Sequence, residues 1–310
     1  MQISAVEAVD VRKTYGQTEA LRGVSFTAEA GRVTAILGPN GAGKTTCLRI
    51  LSTSLMPTAG SARVLGCDLI REVRQIRRRI AVVPQGAFPD SMLTGWELVY
   101  GYLVARGIPR KVAAERAERY LRRLGLWDVR KRTTDTYSGG MRRRVMIGMA
   151  LASEAPLIFL DEPSTGLDPE AKREVWELLH EVRGGTSLVL TTHLMDEVEA
   201  LADWVVILSQ GEIIAQGTVE DLCAQAPGRE KLLCPRDIPR EQLLPLGYVQ
   251  EQGNRWALFP RDTTALHRAV DLVRGQGAEV SIQRASLEDG YLAVLNRCAV
   301  RTEGAVQEGI

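Results

Sequence analysis

The chain has 310 residues, 45% of them apolar and 25% charged, with a net charge of +1. That composition excludes collagen-like, mucin-like and wholly disordered chains, and the length suits two domains with a sizeable core. Unbroken apolar runs such as 204–208 and 291–295 stop at five residues, far short of the ~20 that a bilayer-spanning helix needs. Met1-Gln2-Ile3-Ser4 lacks the basic, apolar and small-residue segments of a secretory signal. The five cysteines (Cys47, Cys67, Cys223, Cys234 and Cys298) are scattered and odd in number, which argues against a disulfide framework. A cytoplasmic chain is expected.

The near-neutral balance hides an asymmetry. Between Arg71 and Arg144 stand 18 Lys and Arg against 7 Asp and Glu, a surplus of +11, and the remainder carries −10. Such a block suits an anionic partner, either a membrane surface or a nucleic acid, and equally a solvated, Arg-rich helix surface.

In chain order, the opening alternates short strands with turns at 3–11, 24–28 and 33–37. The stretch from about 90 to 150 reads as a helical insertion. Continuous apolar strands at 157–160 and 188–190 fit a parallel sheet buried on both faces. Between them, Val175, Leu178, Leu179 and Val182 form one stripe on a helix over 170–183. A hairpin joins 205–208 to 212–216. Ala226-Pro227-Gly228-Arg229 marks a break, after which a smaller unit has strands at 256–259 and 279–283 and helices at 263–274 and 287–296.

Gly38-Pro39-Asn40-Gly41-Ala42-Gly43-Lys44-Thr45 fits G-x-x-x-x-G-K-[ST] between a strand and an apolar helix, the context in which that pattern cradles phosphates. The glycines let backbone N–H groups converge on phosphate oxygens, and the helix dipole adds to them. Lys44 would reach the β- and γ-phosphates, Thr45 would ligate Mg²⁺, and Thr46 follows within the same turn. Leu157-Ile158-Phe159-Leu160-Asp161-Glu162 delivers two carboxylates to the sheet edge where that loop also sits. Asp161 suits Mg²⁺, directly or through water, and Glu162 suits a general base for the attacking water. In Tyr137-Ser138-Gly139-Gly140-Met141, Ser138 stands at a helix N-cap, where its hydroxyl and the next amides offer a second anion site. Cys47, just past the phosphate loop, reads either as a small packing residue or as a thiol whose modification would block phosphate binding there.

These motifs, with Ser164-Thr165-Gly166-Leu167-Asp168 and His193, resemble the ATP-binding cassette (ABC) ATPases in order and spacing over roughly residues 3 to 222. The resemblance implies an α/β fold: a P-loop nucleotide-binding domain over 1–222 with a RecA-like core, an antiparallel β subdomain and a helical subdomain at about 90–150. A small α+β accessory domain would follow at 229–310. It further implies a head-to-tail homodimer that holds ATP and Mg²⁺ between the phosphate loop of one copy and the Ser138 segment of the other. Tyr15 resembles the aromatic that stacks on adenine. Gln85 resembles the glutamine that joins metal and water to the helical subdomain. Ser138, Gly139 and Gly140 resemble the contacts to the partner's γ-phosphate, Asp168 the residue that crosses the dimer interface, and His193 the switch histidine.

Tyr137 and Met141, followed by Arg142-Arg143-Arg144, together with Leu93-Thr94-Gly95-Trp96-Glu97 and Gly107-Ile108-Pro109-Arg110, resemble the daunorubicin-resistance branch, which is similar to nodulation-signal exporters too. Ser286-Leu287-Glu288-Asp289-Gly290-Tyr291-Leu292 fits that branch except at Gly290, where it usually carries an apolar residue. The branch implies an ATPase subunit peripheral to the cytoplasmic face of the inner membrane, beneath a separate type-2 permease that exports drugs, lipids or glycans. Inner-leaflet anionic lipid would then face the basic block, and no nucleic acid is expected. The alternative is a soluble ABC ATPase acting on nucleic acid or the ribosome. Against it, the sequence shows no sustained heptads between phosphate loop and Ser138 and a single cassette.

Overall fold

The computed structural model describes residues 4–86 and 89–307, with side chains through Arg297. Ile3 of the first expected strand and the side chain of Cys298 lie outside the described residues. The chain divides into two compact units between Gln216 and Gly217.

In the first unit, β1 (Ser4–Tyr15) and β2 (Thr18–Glu29) pair as an antiparallel hairpin. Val6, Ala8 and Val11 are buried with Val24, Phe26 and Ala28, the alternation that lays one face of each strand on a core. The wholly buried β3 (Val33–Leu37) leads through residues 38–43 into α1 (Lys44–Leu51). β4 (Ala59–Val64) and β5 (Cys67–Asp68) extend the antiparallel sheet to the order β2-β1-β4-β5. α2 (Val73–Arg79) then runs directly into β6 (Ile80–Val83).

The helical segment comprises α3 (Gly95–Ala105), α4 (Arg110–Arg123) and α5 (Gly139–Ala152), packed on one another. A reciprocal cap starts α3: the Thr94 hydroxyl accepts from Glu97 N at 3.1 Å, and the Glu97 carboxylate accepts from Thr94 N at 2.9 Å. The remaining elements alternate: β7 (Leu157–Asp161), α6 (Pro169–Glu181), β8 (Ser187–Thr192), α7 (Met195–Leu201), β9 (Trp204–Ser209) and β10 (Glu212–Gly217). Among the described residues the central sheet has the order β10-β9-β3-β8-β7-β6, and its β9-β3-β8-β7-β6 part is parallel.

Register decides what this sheet presents at its edge. Leu37 lies opposite Thr192, Asp161 opposite Thr191, and Val83 opposite Leu160. Four strands therefore end level, and the segments after β3, β6, β7 and β8 emerge side by side at the carboxyl edge, where open parallel sheets bind ligands.

The second unit holds α8 (Val219–Cys223), β11 (Glu230–Pro235), α9 (Arg240–Leu243), β12 (Gly247–Gln252), β13 (Arg255–Pro260), α10 (Thr263–Gly275), β14 (Ser281–Arg284) and α11 (Leu287–Gln307). Its antiparallel sheet runs β12-β13-β11-β14. Leu232, Val249, Leu258, Ala269 and Val273 are buried in one cluster. A buried ion pair anchors α11: Lys231 Nζ lies 2.7 Å from Asp289 Oδ2, which also accepts from Ser286 N at 2.7 Å. A Cβ at Gly290 would fall 1.9 Å from the carbonyl oxygen of Leu222. Close packing of α11 on α8 thus accounts for a glycine where the resembling branch carries a larger residue. α8 straddles residue 222, where the sequence reading ends the first domain, and it packs on α11.

Candidate functional site

The loop after β3 turns into α1 at Gly43, whose φ of +103° lies in the left-handed region that glycine enters without steric cost. α1 begins at the next residue, so its N-terminal amides and dipole face the loop. A cleft of about 320 Å³ opens there, lined by Ala20, Asn40, Gly41, Gly43, Lys44, Thr45, Thr46, Gln85 and Glu162. Lys44 Nζ donates to the carbonyl oxygens of Gly38 at 2.8 Å and Pro39 at 2.9 Å. Burial pulls the Lys44 ammonium below the usual lysine range, while Glu162 and Asp161 act in the opposite direction.

The level strand ends place a polar chain across the cleft floor. Thr45 Oγ1 stands 3.2 Å from Asp161 Oδ1 and 3.5 Å from Gln85 Oε1. The hydroxyl of Thr191 donates to the same Asp161 oxygen. Gln85 Nε2 donates to Glu162 Oε2 at 3.0 Å, and Thr165 Oγ1 lies 3.3 Å from that oxygen. On the other side, His193 Nδ1 is 3.3 Å from Glu162 Oε1. Glu162 is 6% exposed, and Gln85 and His193 hold its carboxylate from both sides with little freedom to turn.

Glu162 itself adopts φ +50°, a left-handed conformation that costs a non-glycine residue ~1–2 kcal/mol. Its N–H bonds the carbonyl of Thr191 at 3.0 Å. Arg143 of α5 supports the same turn, donating to the carbonyls of Asp161 at 2.6 Å, Glu162 at 2.8 Å and Pro163 at 3.1 Å. Burial lowers the Arg143 pKa, and Asp161, Glu197 and Glu162 oppose that shift. Beneath the next loop, the Ser164 hydroxyl bonds the fully buried Glu197 and accepts from Trp176 Nε1 at 2.8 Å. Burial raises the Glu197 carboxyl above the ordinary range.

A second group lies apart from that cleft. Ser138 caps α5 by accepting from Met141 N at 3.2 Å, so Gly139 and Gly140 form the first turn of the helix. Asp168 caps α6 by accepting from Ala171 N at 3.0 Å and Glu170 N at 3.1 Å. Those N–H groups, Ala171 foremost, hold the Asp168 carboxyl below its ordinary range. A Cβ at Gly140 would lie 4.0 Å from Asp168 Oδ2, so two helix N-termini sit together. Tyr15 is 47% exposed at the end of β1, with Lys13 Nζ 5.2 Å from its ring centre.

The structure thus gathers Lys44, Thr45, Gln85, Asp161, Glu162 and His193 in one place and Ser138, Gly139, Gly140 and Asp168 in another. Tyr15, Ser138, Gly139, Gly140 and Asp168 do not line the cleft. Cys47 is 1% exposed, and burial pushes its thiol up to about 12, as suits a packing residue. Sequence reasoning passed over Thr191, which holds Asp161, and Arg143, which looks like one member of a basic run.

The family described as ABC transporter matches residues 21–165. The daunorubicin resistance ATP-binding protein DrrA3 of Streptomyces coeruleorubidus is 36% identical, over 94% of this chain and 96% of its own length. The doxorubicin resistance ATP-binding protein DrrA of Mycobacterium tuberculosis is likewise 36% identical, over 94% of this chain and 93% of its own. Among solved structures, a dimeric ATP-binding cassette in a post-hydrolysis state, bound to ADP and Pi, superposes with a TM-score of 0.64 at 27% identity. It covers 69% of this chain and 98% of that one.

Proposed function

Because the chain belongs to the ABC transporter family, whose cassettes bind ATP and hydrolyse it to power transport, we propose that it energises a drug exporter. It would pair with a second copy beneath a separate type-2 permease at the cytoplasmic face of the inner membrane. The resistance relatives, named for daunorubicin and doxorubicin, support a drug as cargo. Among the described residues no helix is long and apolar enough to cross a membrane, which fits a membrane path supplied by another chain.

One observation carries the catalytic part of this reading: the Glu162 carboxylate is held between Gln85 Nε2 and His193 Nδ1 at the lip of the phosphate loop. In that position Glu162 accepts a proton from water, Gln85 and His193 orient it, and Lys44 meets the β- and γ-phosphates. Tyr15 offers an exposed ring to adenine. The oxygens of Thr45, Gln85 and Asp161 are a hard-donor set that suits Mg²⁺. No cluster of three His, Cys, Asp or Glu side chains able to hold a metal occurs among the described residues, in keeping with an ion held largely by substrate phosphates. Mg²⁺ would neutralise charge on the phosphate oxygens. The α5 N-terminus at Ser138 offers amides to an anion away from the chain's own phosphate loop, which supports completion of each ATP site by the second copy.

The experiment is drug accumulation in cells without pumps of their own. Co-expression of this chain with its permease lowers cell-associated daunorubicin, and Lys44→Ala in the same pair restores it. Daunorubicin accumulation that the pair leaves unchanged would overturn daunorubicin as its cargo.

The basic block narrows on inspection. Arg77 donates to Thr53, Arg79 to the carbonyl of Leu65, and Arg142 to the carbonyls of Thr134 and Asp135. Part of the surplus therefore binds the protein's own backbone, and the drug-resistance relatives favour the exporter over the nucleic-acid alternative. Arg74, Arg78, Arg110 and Lys111 are exposed and remain for anionic lipid or permease loops. Reversing Arg78, Arg110 and Lys111 to Glu weakens membrane recovery at least about tenfold, since each basic residue contributes ~1 kcal/mol at an anionic surface. ATP affinity stays the same. Unaltered fractionation would remove the block from membrane attachment.

A further inference from the structure

Arg143 lies on α5, five residues beyond Ser138, and is 9% exposed. Its guanidinium donates to four backbone carbonyls and so spans two strand ends. Nη2 reaches Asp161 at 2.6 Å and Glu162 at 2.8 Å, Nε reaches Pro163 at 3.1 Å, and Nη1 reaches Pro84 at 3.1 Å. Three of those carbonyls are consecutive and bracket the left-handed turn at Glu162; the fourth immediately precedes Gln85.

The chemistry of this contact is specific to arginine. A buried parallel strand ends with carbonyls that no neighbouring strand satisfies, and a planar fork with five N–H groups meets several at fixed angles, whereas an ammonium acts as a point charge. A non-glycine residue keeps a left-handed backbone where its surroundings over-determine it. At Glu162 those surroundings are the Thr191 carbonyl on the N–H side and Arg143 on the carbonyl side.

We propose that Arg143 is a positioning residue for ATP hydrolysis: from the helix that bears Ser138, it fixes the left-handed turn that aims the Glu162 carboxylate and sets the strand end that presents Gln85. This rests on the assignment of Glu162 as the base. Arg143 acts through backbone carbonyls and is absent from the cleft lining, so it governs turnover and leaves nucleotide affinity alone.

The test is a double-mutant cycle on the full-length chain, with kcat and KM for ATP measured beside nucleotide Kd. Arg143→Lys keeps the charge, and Arg143→Gln keeps a neutral donor; both are compared at equal folded fraction, set by their urea midpoints. Each lowers kcat about 10- to 100-fold, the scale of a small misplacement of a reacting group. KM and Kd move by less than about twofold, and combining either change with Glu162→Gln slows hydrolysis by less than about twofold beyond Glu162→Gln alone. A folded variant with wild-type kcat, or a multiplicative loss in the double variant, would overturn the proposal. Failure of the underlying assignment reads differently: Glu162→Gln alone would then turn over normally.

Discussion

Glu162→Gln lowers the rate of ATP hydrolysis by about 10²–10⁴-fold, the usual contribution of a positioned general base. The substitution exchanges one carboxylate oxygen for an amide and keeps the shape of the side chain. Gln85 Nε2 and Thr165 Oγ1 both address Glu162 Oε2, so the retained carbonyl oxygen preserves those contacts. The new NH₂ group turns toward His193 Nδ1, which accepts in one tautomer. Geometry survives and basicity is lost. ATP binding and ATP-driven pairing therefore persist, and a nucleotide-loaded dimer accumulates on gel filtration. Single-turnover hydrolysis at the wild-type rate would remove Glu162 from the chemistry.

The sequence is most legible where one short segment carries its own geometry. The phosphate loop lies within eight residues, 38–45, flanked by a strand and a helix that its pattern requires. The carboxyl-ended strand at 157–161 is similarly local. What joins them is register, and the pairing of Leu37 with Thr192 or Val83 with Leu160 is a long-range fact that no local pattern encodes. Arg143 shows the limit well. Arg142, Arg143 and Arg144 are chemically identical in the sequence, yet successive residues on a helix point ~100° apart. Arg142 therefore bonds carbonyls at 134 and 135, Arg143 is buried against β7, and Arg144 pairs with Glu174. A count of charges reads all three as one anion-seeking patch. In the second unit, β13 and α10 fall close to their expected spans, but β11 and β12 went unread. β11 begins Glu-Lys and ends in Pro, and β12 is a polar edge strand, so neither shows the alternation that marks a half-buried strand.

The second large effect concerns completion of the site by another copy. Ser138→Arg places a long cation at the cap of α5, where the first turn is Gly139 and Gly140, and fills the space offered to a phosphate. Lys44→Ala removes the cation of the phosphate loop itself. As homodimers, both variants lose hydrolysis by at least about 10²-fold, since each removes a preorganised contact to developing charge. Mixed together, they recover activity. In the mixed dimer, one site joins the intact phosphate loop of the Ser138→Arg chain to the intact Ser138 of the Lys44→Ala chain, and the other site carries both defects. Random pairing at equal amounts makes half the dimers mixed, each with one working site, so about a quarter of wild-type turnover returns for a symmetric, exchangeable dimer. Titrating one variant into the other gives a maximum at equal amounts, a shape that no site built within a single chain produces. Activity that stays at the level of the separate variants across the whole titration means each chain completes its own site, and the paired N-termini at Ser138 and Asp168 then serve only to cap α5 and α6.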